Sequence, residues 1–382
     1  MKTIALCMIV KNEEKTLSRI LAPLSSVVDQ IVIVDTGSTD ETLNVAKRWG
    51  AEVHFIPWRD DFAAARNFAF EKSRCDYNLW LDADDVMGQE SITQLLHLKK
   101  ELTGQTDAYF FRYNVAFDES GVPTFSYFRE RLLKNNENYR FCGRVHEAVS
   151  CMGRTEFLPI TIEHRPEKKN KDPYRNVKIY RKMRAEGVAF SARDEYYYGR
   201  ELYSLGKRVA AKKILTAFLK RQDAWSQNKI EALSILSAIA TQEGRGEDAK
   251  RLLLQTFLYA PPRVEVCYDL ATLFFIEQNY LLAIQWYLHA LSQPPSLYGF
   301  QEGQKGGLFA ALQLTVCYDR QNNRPYALAY HLLAEGFSPN HPSVLANAAY
   351  FSATEEEKSA AKALIQSLKN GFAMRIPQRF IS

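Results

Sequence analysis

No apolar run in this sequence approaches the roughly 18 residues that a membrane-spanning helix requires, and no cleavable apolar segment follows the opening Met1-Lys2-Thr3. A cytosolic protein that does not span a membrane is expected. The 6 cysteines (Cys7, Cys75, Cys142, Cys151, Cys267, Cys317) form no C-x-x-C pair, which argues against a disulfide framework or a zinc ribbon and for buried thiols in a reducing compartment. Basic residues form no long run, and a net charge of +5 is small for 382 residues, so nucleic acid is not the expected partner. The densest basic cluster, Lys168, Lys169 and Lys171, sits beside Asn170 and Asp172 and reads as a solvated linker. With 14 prolines, 46% hydrophobic and 24% charged residues, neither disorder nor a fibrous class is indicated, and the length predicts two domains.

The first 85 residues alternate two periodicities. Apolar runs of strand length at Thr3–Val10, Ile31–Asp35, Glu52–Pro57 and Tyr77–Leu81 are separated by helical spacing at Glu13–Leu24, Ser38–Trp49 and Phe62–Ser73. This βαβαβαβ order predicts a parallel sheet covered on both faces. Ser38-Thr39-Asp40-Glu41 offers a capping box for the second helix. From Asp107 to His164 the pattern turns to short strands, with Asp118-Glu-Ser-Gly121 as a hairpin signal. Beyond Glu167 the sequence reads as helical and weakly repetitive. Ala210, Ala249, Ala283 and Ala327 each follow a polar turn early in a second helix, at intervals of 39, 34 and 44 residues, close to the ~34 of tetratricopeptide repeats. The expected organisation is α/β over 1–170, a linker helix over 171–190, and an all-α repeat domain over 191–382.

The glycine-rich motifs that bind nucleotides are missing. The first turn, Lys11-Asn12-Glu13-Glu14, has no glycine, which disfavours a dinucleotide fold, and no G-x-x-x-x-G-K-[ST] occurs. Carboxylates stand instead where an open α/β sheet binds ligands, at the C-terminal strand ends: Glu13, Asp35, and the pair Asp82 and Asp84. A D-x-D pair past a buried strand can address a ribose with one carboxylate and a divalent cation with the other, because Mg²⁺ and Mn²⁺ favour carboxylate and phosphate oxygens; the alternative reading is an acidic turn capping the next helix.

Five blocks in order, Cys7-Met-Ile-Val-Lys-Asn-Glu-Glu14, Ile33-Val-Asp-Thr-Gly-Ser-Thr-Asp40, Asp61-Phe-Ala-Ala-Ala-Arg-Asn67, Leu79-Trp-Leu-Asp-Ala-Asp-Asp85 and Gly143-Arg-Val-His-Glu147, together resemble the family 2 glycosyltransferases of the GT-A fold, in the branch fused to tetratricopeptide-like repeats. The resemblance covers the first half closely and the helical half loosely. It implies an inverting transfer from a nucleotide-sugar, with a UDP-sugar as donor and Mn²⁺ or Mg²⁺ as cofactor. It assigns Asp35 and Glu13 to the nucleobase pocket, Arg66 to the nucleotide, Asp82 to the ribose, and Asp84 with His164 to the metal. Glu147 is the expected base, with His146 as the runner-up or an orienting partner. Relatives often carry Gly-Tyr after the metal histidine, whereas Arg165-Pro166 follows here. Trp58, Trp80 and Phe62 read as core rather than as a stacking platform.

Tyr196-Tyr-Tyr-Gly-Arg-Glu-Leu202, placed at the opening of the repeats, resembles members that glycosylate bacteriocin peptides on cysteine or serine. The expected acceptor is a peptide or protein side chain; a glycan or lipid-linked acceptor is the alternative, and a non-catalytic nucleotide-binding scaffold is a third reading. The repeats also suit homodimerisation.

Overall fold

The computed structural model describes residues 1–371 except 120, 152, 168–171 and 295, so the lysine cluster of the 168–171 segment and part of the 118–121 hairpin lie outside the described residues. The chain divides into two compact units, Met1–Leu205 and a second beginning at Gly206.

In the first unit the strands are β1 (Ile4–Val10), β2 (Gln30–Asp35), β3 (Glu52–Phe55), β4 (Tyr77–Trp80), β5 (Asp85–Val86), β6 (Ala108–Phe117), β7 (Pro123–Lys134), β8 (Phe141–Cys142), β9 (Ala148–Val149) and β10 (Thr155–His164). The helices are α1 (Leu17–Leu24), α2 (Thr42–Arg48), α3 (Phe62–Lys72), α4 (Gln89–Glu101), α5 (Arg175–Ala185) and α6 (Ala192–Ser204). One eight-stranded sheet runs β3-β2-β1-β4-β7-β6-β10-β5, and β8 and β9 form a small separate hairpin. Strands β3, β2, β1 and β4 are mutually parallel, as the alternating pattern predicts, whereas β7 and β5 run antiparallel to their neighbours. Strand periodicity sorts the core. Ile4, Leu6, Met8 and Val10 of β1 pack with Leu17, Ile20, Leu21 and Leu24 of α1 and with Ile92 and Leu95 of α4, while the alternate Ala5 and Cys7 face Ala63, Ala69 and Phe70 of α3. Both faces are thus covered, the arrangement expected of a GT-A domain.

Two local expectations change. Ser38 does not cap α2: its hydroxyl donates to Asp35 at 2.5 Å, and Glu41, the residue before the helix, makes no side-chain cap. Among the later strands β6, β7 and β10 are long, with 10, 12 and 10 residues, and only β8 and β9 are short, with 2 each.

The second unit holds α7 (Arg208–Phe218), α8 (Ser226–Gln242), α9 (Gly246–Gln255), α10 (Val264–Ile276), α11 (Tyr280–Ser292), α12 (Leu308–Arg320), α13 (Arg324–Phe337), α14 (Pro342–Tyr350) and α15 (Glu355–Gly371). The pairs α8/α9, α10/α11 and α12/α13 turn through Gly244, Gln278 and Asn322, each in the left-handed region (φ 73°, 59° and 56°), the usual conformation just past a helix C-terminus. Ala249, Ala283 and Ala327 are fully buried where the repeat pattern needs small residues. In the first copy the buried residue is Ala211, and Ala210 is exposed. The boundary falls later than the sequence pattern suggests. Helices α5 and α6 belong to the first unit, so the Tyr196–Leu202 block does not open the repeats; α6 is tied to the Gly143–Glu147 turn by polar contacts described below.

Candidate active site

The C-terminal ends of β2, β1 and β4 lie side by side, and the carboxylates noted in the sequence collect there. At the β2 end the Asp35 side chain is buried. It accepts from the Gly37 amide at 3.0 Å, the Ser38 amide at 3.1 Å and the Ser38 hydroxyl, which folds the turn onto its own aspartate. Gly37 at φ 107° permits that turn, a conformation that a residue with a Cβ rarely adopts. The Asn12 amide donates to Ser38 Oγ at 2.9 Å and the Glu13 amide to Thr42 Oγ1 at 2.7 Å, so the first two turns are laced together. The Glu13 carboxylate accepts from Thr16 Oγ1 at 2.5 Å, at the start of α1.

Helix α3 supplies Arg66. Asp61 caps it by accepting from the Ala64 amide at 2.9 Å, and an alanine run with no β-branched residue carries it forward. Arg66 is buried between two carboxylates: Nε donates to Glu147 at 2.7 Å and a terminal nitrogen to Asp82 at 2.6 Å. Burial alone would lower its pKa, but Asp82 and Glu147 outweigh burial and keep it raised. The same reasoning holds for Asp82, whose burial opposes ionisation while Arg66, Arg131 and Arg129 overcome it and hold the carboxyl below its usual range. The guanidinium groups of Arg66, Arg129 and Arg131 lie 4.4, 4.4 and 4.1 Å from the ring centre of Trp80. Trp80 is buried and donates from Nε1 to the Glu130 carbonyl, so it is core, as expected, and also a platform for these cations. Arg129 and Arg131 flank Glu130 on β7, where the pairing with β6 shifts register between Glu130 and Leu132, so an irregularity at Arg131 and not simple alternation accompanies the approach of both cations to Trp80.

Asp84, Asp85 and His164 form the metal-competent group, each with a ligand atom within 4.8 Å of the others. Sheet register builds it: β5 pairs antiparallel with β10, setting His164 opposite Asp85, and the Arg165 amide donates to the Asp84 carbonyl at 2.8 Å. His164 Nδ1 is buried beside the two carboxylates, 3.4 Å from Asp84 Oδ1 and 3.8 Å from Asp85 Oδ1. Burial lowers the His164 pKa, but the two carboxylates outweigh it and push it up to about 9. Asp85 is fully buried and fixed by Tyr113 Oη at 2.8 Å, the Asp82 amide at 3.0 Å and Arg131 at 3.3 Å, which makes it the orienting member of the three. Arg165, standing where relatives often have glycine, stacks its guanidinium 3.4 Å from the centre of the Phe117 ring.

The Gly143–Glu147 turn separates its last two side chains. Glu147 faces Arg66, and its carbonyl accepts from Arg129 at 3.1 Å. His146 faces α6, where Nε2 lies 2.6 Å from Glu201 Oε1 and the ring stacks on Tyr197 at 4.2 Å. Burial lowers the His146 pKa against the opposing effect of Glu201. Of the candidate site residues, Glu13, Asp35, Asp82 and Asp84 thus stand just past the β1, β2 and β4 ends, Arg66 on α3, His146 and Glu147 on the 143–147 turn, and His164 at the end of β10. Asp85, Arg129, Arg131 and Glu201 escaped sequence reading; the fourth position of Asp82-Ala-Asp-Asp85 was the available signal.

Residues 5–154 match the family described as Glycosyl transferase family 2. A TPR repeat-containing protein of Synechococcus elongatus is 30% identical over 302 residues, which cover 77% of this chain and 67% of that protein. The SPbeta prophage-derived glycosyltransferase SunS of Bacillus subtilis is 25% identical over 305 residues, covering 74% of this chain and 69% of SunS. Among solved structures, S. aureus TarS aligns with a TM-score of 0.39 at 14% identity, over 64% of this chain and 55% of its own. No helix among the described residues is long and apolar enough to cross a membrane. The chain belongs to glycosyl transferase family 2 and is a glycosyltransferase whose family domain is joined to helical repeats.

Proposed function

We propose that the first unit transfers a sugar, with inversion, from a nucleoside-diphosphate donor, a UDP-sugar in the first instance, to a side chain of a peptide or protein. The observation that carries this reading is the cluster of Asp84, Asp85 and His164 beside the Asp82–Arg66–Glu147 chain. Mn²⁺ or Mg²⁺, held by Asp84 and His164 and supported by Asp85, would supply positive charge against the diphosphate leaving group. The Asp35 turn, with Glu13 beside it, would bound the nucleobase, the Asp35 carboxylate holding the turn in shape through the Gly37 and Ser38 amides and the Ser38 hydroxyl. Asp82, anchored on Arg66, would take the ribose hydroxyls. Glu147 would take the acceptor's proton as the bond to the anomeric carbon forms.

The compact boundary after Leu205 gives the acceptor reading a testable form. A protein ended there should release UDP from a UDP-sugar while losing transfer to a peptide, whereas one ended after Asp172 lacks α5 and α6 and should lose both. Transfer to carbohydrate or lipid-linked acceptors by the full chain, with none to peptides, would replace the peptide reading. The donor is tested by melting the full chain with a panel of nucleotide-sugars, with Mn²⁺ and with EDTA. A ligand at about 100 times its Kd stabilises by about 2.7 kcal/mol. A panel with no cation-dependent shift and no released nucleoside diphosphate would overturn the proposal.

A further inference from the structure

His146 adopts φ 51°, in the left-handed region that a residue with a Cβ enters only when its surroundings hold it there. Those surroundings come from one face of one helix. Arg193, Tyr197 and Glu201 stand four residues apart on α6 and so project in a row. Arg193 Nε donates to the His146 carbonyl at 2.9 Å, Tyr197 stacks on the ring with planes 14° apart, and Glu201 Oε1 meets Nε2 at 2.6 Å. A carboxylate only accepts, so Nε2 carries the hydrogen and the ring orientation is fixed. Glu201 is held in turn by Asn176 of α5, whose Nδ2 donates to it at 3.0 Å. The helix start is fixed by a full capping box between Ser191 and Asp194. On the other side of the same peptide, Arg66 and Arg129 grip Glu147. Two successive side chains are thus pulled to opposite sides, and the left-handed conformation of the first, His146, makes that possible.

We propose that Arg193, Tyr197 and Glu201 are positioning residues: they hold His146 in its left-handed conformation and so present Glu147 to the reacting centre. The proposal rests on the role given to Glu147 above, and it makes His146 a backbone-setting residue and not the base. It also explains why the R-x-x-x-Y-x-x-x-E spacing stands in a helix that belongs to the catalytic unit.

The test uses the full chain and the variants Glu201→Ala, Glu201→Gln, His146→Ala and His146→Gly, each first shown to melt as the parent does. Without any ligand, amide hydrogen exchange across 143–149 should quicken at least tenfold in Glu201→Ala. With UDP-glucose and Mn²⁺, UDP release by Glu201→Ala should lose about tenfold or more in kcat at a donor KM within about twofold. Glu201→Gln, which can still accept from Nε2, should recover most of that loss. Glycine enters the left-handed region freely and alanine does not, so His146→Gly should retain clearly more turnover than His146→Ala. Equal inactivity of the two His146 variants would mean that the ring itself does the chemistry, and would overturn the proposal, as would unchanged exchange and kcat in Glu201→Ala. If the parent protein releases no nucleoside diphosphate from any nucleotide-sugar, the proposed function fails, and the exchange measurement still decides whether α6 holds the turn.

Discussion

Replacing Glu147 with glutamine separates what this residue does for the fold from what it does for the reaction. Glutamine keeps an oxygen for the 2.7 Å bond from Arg66 Nε and leaves the backbone carbonyl bonded to Arg129. The charge is lost, so a charge-assisted hydrogen bond of about 1.5–3 kcal/mol becomes a neutral one of about 0.5–1.5 kcal/mol. With a side chain only 8% exposed, little of this is screened by solvent, and the fold should lose about 1 kcal/mol. For a unit of this size that is a fall of roughly 2–4 °C in melting temperature. The reaction should lose far more. A general base contributes about 10²- to 10⁴-fold, which at about 1.36 kcal/mol per decade is about 2.7–5.4 kcal/mol of barrier. UDP release and sugar transfer at saturating UDP-sugar and Mn²⁺, with donor affinity from calorimetry, should show turnover falling by at least a hundredfold while affinity stays within about threefold. Near-parental turnover on a hydroxyl acceptor would refute the assignment and pass the role to His146. A cysteine acceptor should blunt the loss, because a thiol of pKa about 8.5 is already partly ionised near neutral pH.

Asp84→Ala should abolish the dependence of UDP-sugar binding on Mn²⁺, and His164→Ala should weaken binding and turnover together; calorimetry giving equal affinity with and without EDTA in the parent would contradict both. Asp85→Asn should destabilise the first unit by about 1–3 kcal/mol in urea titration, because an amide has one oxygen where the buried carboxylate accepts from Tyr113 and the Asp82 amide and faces Arg131. In the second unit, burial lowers the pKa of His331 against the opposing effect of Glu335. The folded form therefore binds fewer protons than the unfolded one, and stability should be full above about pH 6.5 and fall as the pH drops through that value. His331→Leu should flatten that slope in urea titrations between pH 7 and pH 5, and an unchanged slope would refute this account.

Local rules made much of this architecture legible. The alternation of apolar strand runs with helical spacing placed β1 to β4 and α1 to α3 within a few residues, because each element buries a face set by its own period. His164 was legible only through the family resemblance: it reaches Asp84 through the pairing of β5 with β10, elements almost 80 residues apart in sequence, and no local pattern encodes that register. The capping box failed for a related reason. Ser38 has two partners within reach, and the buried Asp35 carboxylate, which must find donors, takes the hydroxyl that would otherwise cap α2. The boundary differs because the stretch of α5 reads as a linker helix and that of α6 as the first repeat helix. Their assignment to the first unit, and their bonds from Asn176, Arg193 and Glu201, come from partners that a helical pattern does not reveal.

The string Asp82-Ala-Asp-Asp85 shows how one short acidic turn can serve two ends without conflict. Asp82 is bound to Arg66, and Asp85 is held by Arg131 and Tyr113, so the charges of both are met by guanidinium groups gathered on Trp80. In a buried setting such pairing offsets the cost of taking a carboxylate's charge out of water. The arginines cannot be exchanged for lysine at no loss, since a lysine would give neither the forked contact of Arg66 to Asp82 and Glu147 nor the planar stacking on the indole. Asp84 projects differently: its carboxylate approaches His164, and its carbonyl accepts from Arg165. The turn therefore sorts its carboxylates by partner, arginine for the first and last, histidine for the middle one. Asp84 and His164 are the members whose chemistry suits a divalent cation, because an imidazole nitrogen can coordinate a metal and a guanidinium cannot.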